Sequence, residues 1–330
     1  MTRSTGRLKV VRQQLDHTDR RIVAALLADP RASWRTIAAT LDLSERTVIR
    51  RAGPLLADGT VRVTATPNPI CFPDLIPIAL RIRCRPQNIR TVAAGLARRP
   101  GTMWLDILSS GNELLAVLFL EDAAARNKLL LRDLPATEAV TSWTSHAVLR
   151  VFQEAFDWSA GLLTPDERDA LRPEQPDVPA GAIPLDDTDH ALIQALTANG
   201  RATYADLAEH AGITPLSARK RANRLIGNAI VPSADVDVAV LGITTEALLW
   251  ITVAPHSMDR TAYALAVHPQ VRLVVATTGP TNLLAGVATT DLDALYRLLT
   301  ESLDGLENVR SVEVTPILMT YKRNRLPRPM

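Results

Sequence analysis

The sequence predicts an α+β protein in which one unit is used twice: three helices, then a βαββαβ domain, then the same again. Three observations predict it. The chain repeats itself in register, each copy opens on a short helix, a tight turn and a basic helix, and after each of these the apolar period changes from that of a helix to that of a strand.

The repeat can be read directly. Leu15-Asp16 with Asp19 recurs as Leu185-Asp186 with Asp189, and the register then holds without a gap. Arg31-Ala32 answers Arg201-Ala202, Arg51 answers Arg221, Leu55 answers Leu225 and Val61 answers Val231. A chain of 330 residues that is 47% hydrophobic can give each part its own core. The expected division is a helical unit over 15–66, a βαββαβ domain over 75–150, a Pro-rich linker over 151–184, a second helical unit over 185–240 and a second βαββαβ domain over 244–320.

The first helix is expected from Asp16 to Ala28, with Ile22, Val23, Leu26 and Leu27 as its apolar stripe; Leu192, Ile193 and Leu196 serve its twin. Turns follow at Asp29-Pro30 and Asn199-Gly200. The second helix starts at a capping Ser33, or at Thr203 with Asp206 three residues on. The third begins at Ser44, or at Thr214-Pro215, a cap followed by proline at the first helical position. Val48, Ala52 and Leu55 share one face and can pack inward, which leaves Arg46, Thr47, Arg50 and Arg51 in front. The second copy offers Ser217, Arg219, Lys220 and Arg221. A basic third helix after a tight turn is a helix-turn-helix arrangement whose last helix can enter the major groove of DNA, where arginine forks suit guanine edges and phosphates alike. These eight residues are therefore the candidate DNA contacts, against the plainer reading of a solvated charged face. Gly53-Pro54 interrupts the first of these helices, so a kink or an early end is expected there.

Short β-prone segments, Val61 to Thr66 and Val231 to Val240, come next as wing or hinge strands. Beyond them Leu75 to Cys84 (LIPIALRIRC) alternates near its end as a half-buried strand does. A helix over Asn88 to Arg99, strands on either side of a turn at Gly111-Asn112, a helix over Asp122 to Asp133 and a strand over Ala139 to Arg150 complete the order, and the second half repeats it from Thr244 to Leu318. This is the ferredoxin-like plan, an antiparallel sheet with helices on one face. The linker gathers Pro165, Pro173, Pro176, Pro179 and Pro184 and should be semi-stiff and exposed.

Composition narrows the function. The formal charge of +2 is uninformative, because 37 basic and 35 acidic residues nearly cancel. Both ends are basic, with Arg3, Arg7, Lys9 and Arg12 at one and Lys322, Arg323, Arg325 and Arg328 at the other, and both are expected to be solvated tails, phosphate-touching arms being the sharper reading. Cys71 and Cys84 form no CxxC pair, and the six histidines show no HxxxH or HExxH spacing, so no metal site and no cofactor is expected. Phosphate loops, GxGxxG and nucleophile elbows are absent, which argues against catalysis. No apolar run approaches the about 20 residues that span a bilayer, and a cytoplasmic location fits. Trp104, Trp143, Trp158 and Trp250 are expected as core or interface anchors.

Taken together, a helix-turn-helix opening on Leu-Asp-x-x-Asp, an Arg followed by Leu and then a Val after the turn, and a βαββαβ domain with a glycine turn between its middle strands resemble the Lrp/AsnC transcriptional regulators. The chain looks like two copies fused. The resemblance implies a winged helix-turn-helix on double-stranded operator DNA and an effector domain that pairs sheet to sheet and senses small molecules, typically amino acids. It implies an intramolecular pseudo-dimer, further assembly into homo-oligomers, and no catalytic activity. Carried onto this chain, the family's effector turn points to Ser110, Gly111 and Asn112 in the first half and to Thr278, Gly279, Thr281 and Asn282 in the second. Bare amides and hydroxyls at such a turn can grip a carboxylate. The chain departs from the family's aspartate shortly after the glycine, having Asn112 with Glu113 and Pro280 with Asn282 instead. Ordinary β-turns without a ligand are the plainer alternative.

Two other readings stay open. Siroheme decarboxylases are similar in plan, which would make this an enzyme whose cleft needs clustered histidine and arginine; Arg50-Arg51 has no histidine partner evident in the sequence. The third is a ligand-binding or architectural protein whose helical units bind only protein, which enrichment of genomic fragments would discriminate.

Overall fold

The computed structural model describes residues 14–68, 72, 74–153, 158–172, 183–302, 306 and 308–328. The basic N-terminal residues Arg3, Arg7, Lys9 and Arg12, Cys71 and the linker prolines Pro173, Pro176 and Pro179 lie outside the described residues.

The first half runs α1 (His17–Ala28), α2 (Trp34–Leu41), α3 (Glu45–Ala57), β1 (Val61–Pro67), β2 (Ile76–Cys84), α4 (Ile89–Ala97), β3 (Thr102–Leu108), β4 (Glu113–Leu120), α5 (Ala123–Lys128) and β5 (Val140–Gln153). A linker helix α6 (Pro165–Leu171) follows. The second half runs α7 (Asp187–Ala198), α8 (Tyr204–Ala211), α9 (Pro215–Leu225), β6 (Ile230–Val236), β7 (Thr245–Val253), α10 (Met258–Ala266), β8 (Val271–Thr277), β9 (Leu283–Thr289), α11 (Leu292–Arg297), β10 (Val309–Arg323) and β11 (Leu326–Pro327). Side-chain caps start the second and third helices as the sequence suggests, at Ser33 and Ser44 and at Thr203 and Thr214, and the structure adds Asp16 and Asp186 as caps of the first helices.

The two sheets close on each other. All pairings are antiparallel, in the order β3-β4-β2-β5 in one half and β8-β9-β7-β10 in the other. β5 leaves β2 and continues along β8 (Val148↔Thr277, Val151↔Val275), and β10 leaves β7 and continues along β3 (Ile317↔Leu108, Thr320↔Asp106). Two long strands thus complete the ring, and the edges that each sheet alone would expose are paired. Side-chain alternation explains the layers. Ile78, Leu80 and Ile82 of β2 face α4, while Ala79 joins an inner cluster with Met103, Leu248, Trp250 and Leu284 of both halves. That inner cluster is the junction, and each fully buried large side chain in it stabilises the pair by about 2 kcal/mol.

The helical units are tied by a ribbon. β1 pairs with β6 along its length, Val61↔Val236 to Pro67↔Ile230. Neither strand is a wing hairpin, so the expected winged form is corrected to a shared hinge. Ala234 and Val236 of β6 pack into the core of the first helical unit and Ala65 of β1 into that of the second, so each half completes the other.

Other expectations change. α3 runs through Pro54 to Ala57 without an early end; Arg50 and Pro54 are both exposed, so water can serve the carbonyl that loses its donor. The expected strand to Val240 ends at Val236, followed by a tight turn at Val238–Leu241. α5 and α11 each finish in a wider π turn, Leu129–Asp133 and Leu298–Ser302. The linker is not wholly exposed: Trp158, Leu163 and Leu171 are buried against the first helical unit, where Glu167 pairs with Arg21.

The basic C-terminus is not a solvated tail either. Lys322 and Arg323 are buried. Lys322 Nζ donates to the carbonyls of Ala97 (2.7 Å) and Arg99 (3.1 Å), and Arg323 pairs with Glu246 (2.7 Å) and, at 3.6 Å, with Asp106. Burial by itself raises a carboxyl, but Arg323 and Arg272 hold Glu246 well below the usual range. Arg328 then meets Asp235 of the hinge (2.7 Å), which also binds Arg62 (2.5 Å), so the end of the chain joins the closed sheet to the ribbon.

Candidate nucleic-acid interface and ligand cavity

Each third helix is built to present a basic turn. In α3, Val48, Ala52 and Leu55 are buried and Arg46 and Arg50 exposed; the Ser44 hydroxyl accepts from the Thr47 amide (3.1 Å) and lies 2.8 Å from the Thr47 hydroxyl. In α9, Ala218, Ala222 and Leu225 are buried, Arg219 and Lys220 exposed, and Ser217 half-buried beside its cap Thr214 (3.3 Å). Uncompensated amides and the helix dipole at these starts favour phosphate.

Arg51 and Arg221 do something else. Arg51 Nη1 donates to Asp16 (2.6 Å) and Asp19 (2.8 Å), and Arg221 Nη1 to Asp186 (2.7 Å) and Asp189 (2.9 Å). Nη1 of each guanidinium clamps the third helix onto the cap of the first, a structural contact that the reading of Arg51 and Arg221 as base or phosphate contacts did not include. Asp189, almost fully buried, also takes Arg224. The amide of Asp19 first, and then Arg51, hold Asp16 below its ordinary value; the amide of Asp189 and Arg221 do the same for Asp186. The Leu-Asp-x-x-Asp signature is therefore a bracket.

A cavity of about 570 Å³ opens where the halves meet. Arg81 and Arg83 of β2, Glu113 and residues 142–146 of β5's first half line one side; Gly279, Pro280, Thr281 and Glu313 line the other. Gly279 is required there: its φ is +112°, and a Cβ would come within 2.5 Å of His146 Nδ1. Thr278 secures the turn, its carbonyl 2.7 Å from His146 Nδ1 and its hydroxyl accepting from the Ala147 amide at 2.9 Å. A carbonyl only accepts, so Nδ1 carries the proton and a neutral ring leaves Nε2 as an acceptor. Arg81 spans Glu113 (2.5 Å) and Glu313 (2.8 Å) and lies 4.8 Å from the Trp250 ring. Burial opposes its charge, but the two carboxylates outweigh burial and raise it above its ordinary value. Arg83 is mostly exposed, with Glu113 at 3.9 Å, and supplies a cation at the rim.

The expected effector turns divide. Gly279 and Thr281 line the cavity; Thr278 and Asn282 are spent on structure, Asn282 pairing with the backbone of Val253 (2.9 and 2.8 Å). Ser110, Gly111 and Asn112 form a turn with Gly111 at φ +72° and are not among the residues lining this cavity. Sequence reasoning missed Arg81, Arg83, Glu113, His146 and Glu313 as site residues and took Trp143 only as a core or interface anchor. One signal was available: charges at the positions of β2 that alternate with its apolar residues, on a face otherwise destined for the junction.

Among the described residues no group of three or more histidine, cysteine or acidic side chains is placed to hold a metal, and no helix is long and apolar enough to cross a membrane.

Comparisons with known proteins agree with this build. Residues 246–327 match the Lrp/AsnC ligand binding domain, and residues 15–55 and 185–226 each match the AsnC-type helix-turn-helix domain. The chain is similar to the HTH-type transcriptional regulator Ptr1 of Methanocaldococcus jannaschii, 26% identical over 140 residues that are 42% of this chain and 95% of that protein. It is also similar to the regulatory protein AsnC of Escherichia coli K12, 25% identical over 146 residues, 42% of this chain and 96% of that protein. Among solved structures, the siroheme decarboxylase NirDL superposes with a TM-score of 0.62 at 12% identity, over 96% of this chain and 95% of that one. Such identity speaks for the fold. It nevertheless corrects the expectation of no enzyme, because a fold shared along the whole length with a siroheme decarboxylase is one that can carry catalysis. A histidine does meet arginines, not at Arg50-Arg51 but in the cavity, where His146 lines the wall with Arg81 and Arg83.

Proposed function

The chain belongs to the Lrp/AsnC family of transcriptional regulators, and from that premise we propose that it is a cytoplasmic pseudo-dimer reading double-stranded operator DNA with α3 and α9 and taking a small-molecule effector in the cavity between its sensor sheets. One observation carries the DNA reading: two capped helices, each with an exposed basic front, Arg46 with Arg50 and Arg219 with Lys220, on units tied by the β1–β6 ribbon. The identical strand order of the two sheets supports reading both sensor domains as one duplicated ferredoxin-like plan. Turn hydroxyls and amides at Gly279 and Thr281, with Arg83 at the rim, suit a carboxylate-bearing effector such as an amino acid. Exposed Val267, Leu292 and Tyr296 on the helical side of the second sensor domain support further self-assembly.

Enrichment of genomic fragments on the purified chain, followed by mobility-shift titrations across salt concentrations, tests the reading. The wild type selects defined fragments, and joint Arg219→Ala and Lys220→Ala substitution weakens binding and lowers the salt slope by roughly 1 for each phosphate left without its cation. No selection, or equal binding by wild type and variant, overturns it.

A second reading is favoured by the cavity itself. His146 as a proton carrier beside Arg81 and Arg83 suits chemistry on a carboxylate-bearing tetrapyrrole, in a chain sharing its fold with a siroheme decarboxylase. Addition of siroheme, with absorbance and carbon dioxide release followed, decides it: no change in either removes the enzyme.

A further inference from the structure

We infer that Arg31 and Arg201 are positioning residues that hold the two helix-turn-helix units at one separation and thereby select the spacing of half-sites in DNA. The inference rests on the DNA reading above.

The two residues occupy the same place in the repeat, just after the turn between the first and second helices, and each reaches into the other half. Arg201 donates to the carbonyls of Pro30 (2.7 Å) and Ala32 (3.0 Å); Arg31 donates to those of Gly200 and Ala202, the latter at 3.5 Å. Each guanidinium also meets an aromatic ring of the other unit, Arg201 at 3.9 Å from the Trp34 centroid and Arg31 at 6.0 Å from that of Tyr204. A planar fork bridging two carbonyls while stacked on a ring is a contact that lysine cannot copy. The site is costly to charge: burial and the neighbouring Arg31 pull Arg201 down to about 10, against the attraction of Asp29.

Backbone contacts reinforce the brace on one side. The Gly200 amide donates to the Val63 carbonyl (2.9 Å), and a Cβ on Gly200 would meet the Thr64 carbonyl oxygen at 2.7 Å. The Thr64 hydroxyl donates to the Thr197 carbonyl at 2.7 Å. The matching turn has Pro30, which has no amide to give, so there Arg201 carries the junction. None of these groups lies on the basic fronts of α3 and α9. Their removal should therefore change where the readers stand while leaving what they read intact.

Half-sites recur on one face of the duplex about every 10.5 bp, so an insertion of about 5 bp turns the second half-site to the opposite face. Two measurements test the proposal. Spin labels on Ala39→Cys and Glu209→Cys, in a Cys71→Ser background with the buried Cys84 retained, report the distance between units without DNA. The wild type gives one narrow distribution; Arg201→Ala and Arg201→Lys both broaden it, with no rescue by lysine. Duplexes selected by the wild type are then re-titrated with insertions between half-sites. The wild type loses about tenfold or more on an insertion of about half a turn, because binding of the second half-site is no longer intramolecular, whereas Arg201→Ala loses less than about threefold. An unchanged distance distribution, full rescue by lysine, or an insertion penalty equal in wild type and variant overturns the brace. Failure of the wild type to select any duplex overturns the DNA reading, and the spacing role with it, whatever the spin labels report.

Discussion

The two halves of the chain share a backbone plan and part company where their sheets meet. Arg81 stands in β2 where Trp250 stands in β7, and Arg83 where Thr252 stands. Thr278 bonds to Ala147 as Ser109 does to Pro316, which makes Thr315 the counterpart of His146. The first half thus brings charges to the junction where the second brings a fully buried indole, against which Arg81 and His146 both pack. A symmetric homodimer changes both of its sites with every substitution, whereas fusion lets one be filled while the other is elaborated. The same divergence appears in the helical units: the first is braced by α6 and Trp158, and the second has the more deeply buried clamp, at Asp189.

That asymmetry can be broken residue by residue. The largest effect is expected at that indole: Trp250→Ala should cost about 3–5 kcal/mol, against about 2 kcal/mol for Arg81→Met, which leaves Glu113 without its main partner. Urea unfolding of both variants checks this, and equal losses would mean that the junction is not anchored on the second half. Next come the clamps. Asp189→Asn should cost about 3 kcal/mol and the half-exposed Asp19→Asn about 1 kcal/mol, read in the same way.

The glycine turns give a smaller and sharper contrast. Gly279→Ala meets both a left-handed backbone and the His146 ring, for about 2–3 kcal/mol and loss of the cavity shape; Gly111→Ala meets only the backbone, for about 1 kcal/mol. Thermal midpoints that move equally would show that Gly279 is not held by close approach. The smallest difference is expected in acid. Asp16 and Asp186 are both held below their usual 3.8, so their contribution is present at neutral pH and is lost as pH falls through the lowered folded value. Replacing either by Asn should flatten the acid limb of stability from the usual carboxyl value of 3.8 downward, and by similar amounts, with no change in slope near neutrality. A steeper limb in either variant would reverse the assigned sign.

Much of this was legible in advance because it is local. Caps at Ser44 and Thr214, the apolar spacing Val48-Ala52-Leu55 and the alternation in β2 are set by a few neighbouring residues. The assignments that moved are those decided by partners far along the chain. Arg51 looks like any other front-facing arginine until Asp16 and Asp19 are brought beneath it. Lys322 and Arg323 look like a charged tail until β10 is carried across to β3 and buries them beside Asp106 and Glu246. Trp158 sits in a proline-rich linker and becomes part of a core only because the first helical unit offers it a face, with its indole donating to Pro269 at 2.8 Å.

By itself, then, the sequence determined the duplicated plan, the helix starts and the two basic fronts, because helix and strand periods and capping act over a turn or two of chain. Tertiary structure alone decided which arginines are clamps, and that an asymmetric cavity joins His146 of one half to Gly279 of the other. The clamps depend on how helices pack within each unit and the cavity on strands exchanged between halves, and such pairing leaves no periodic trace in the order of residues.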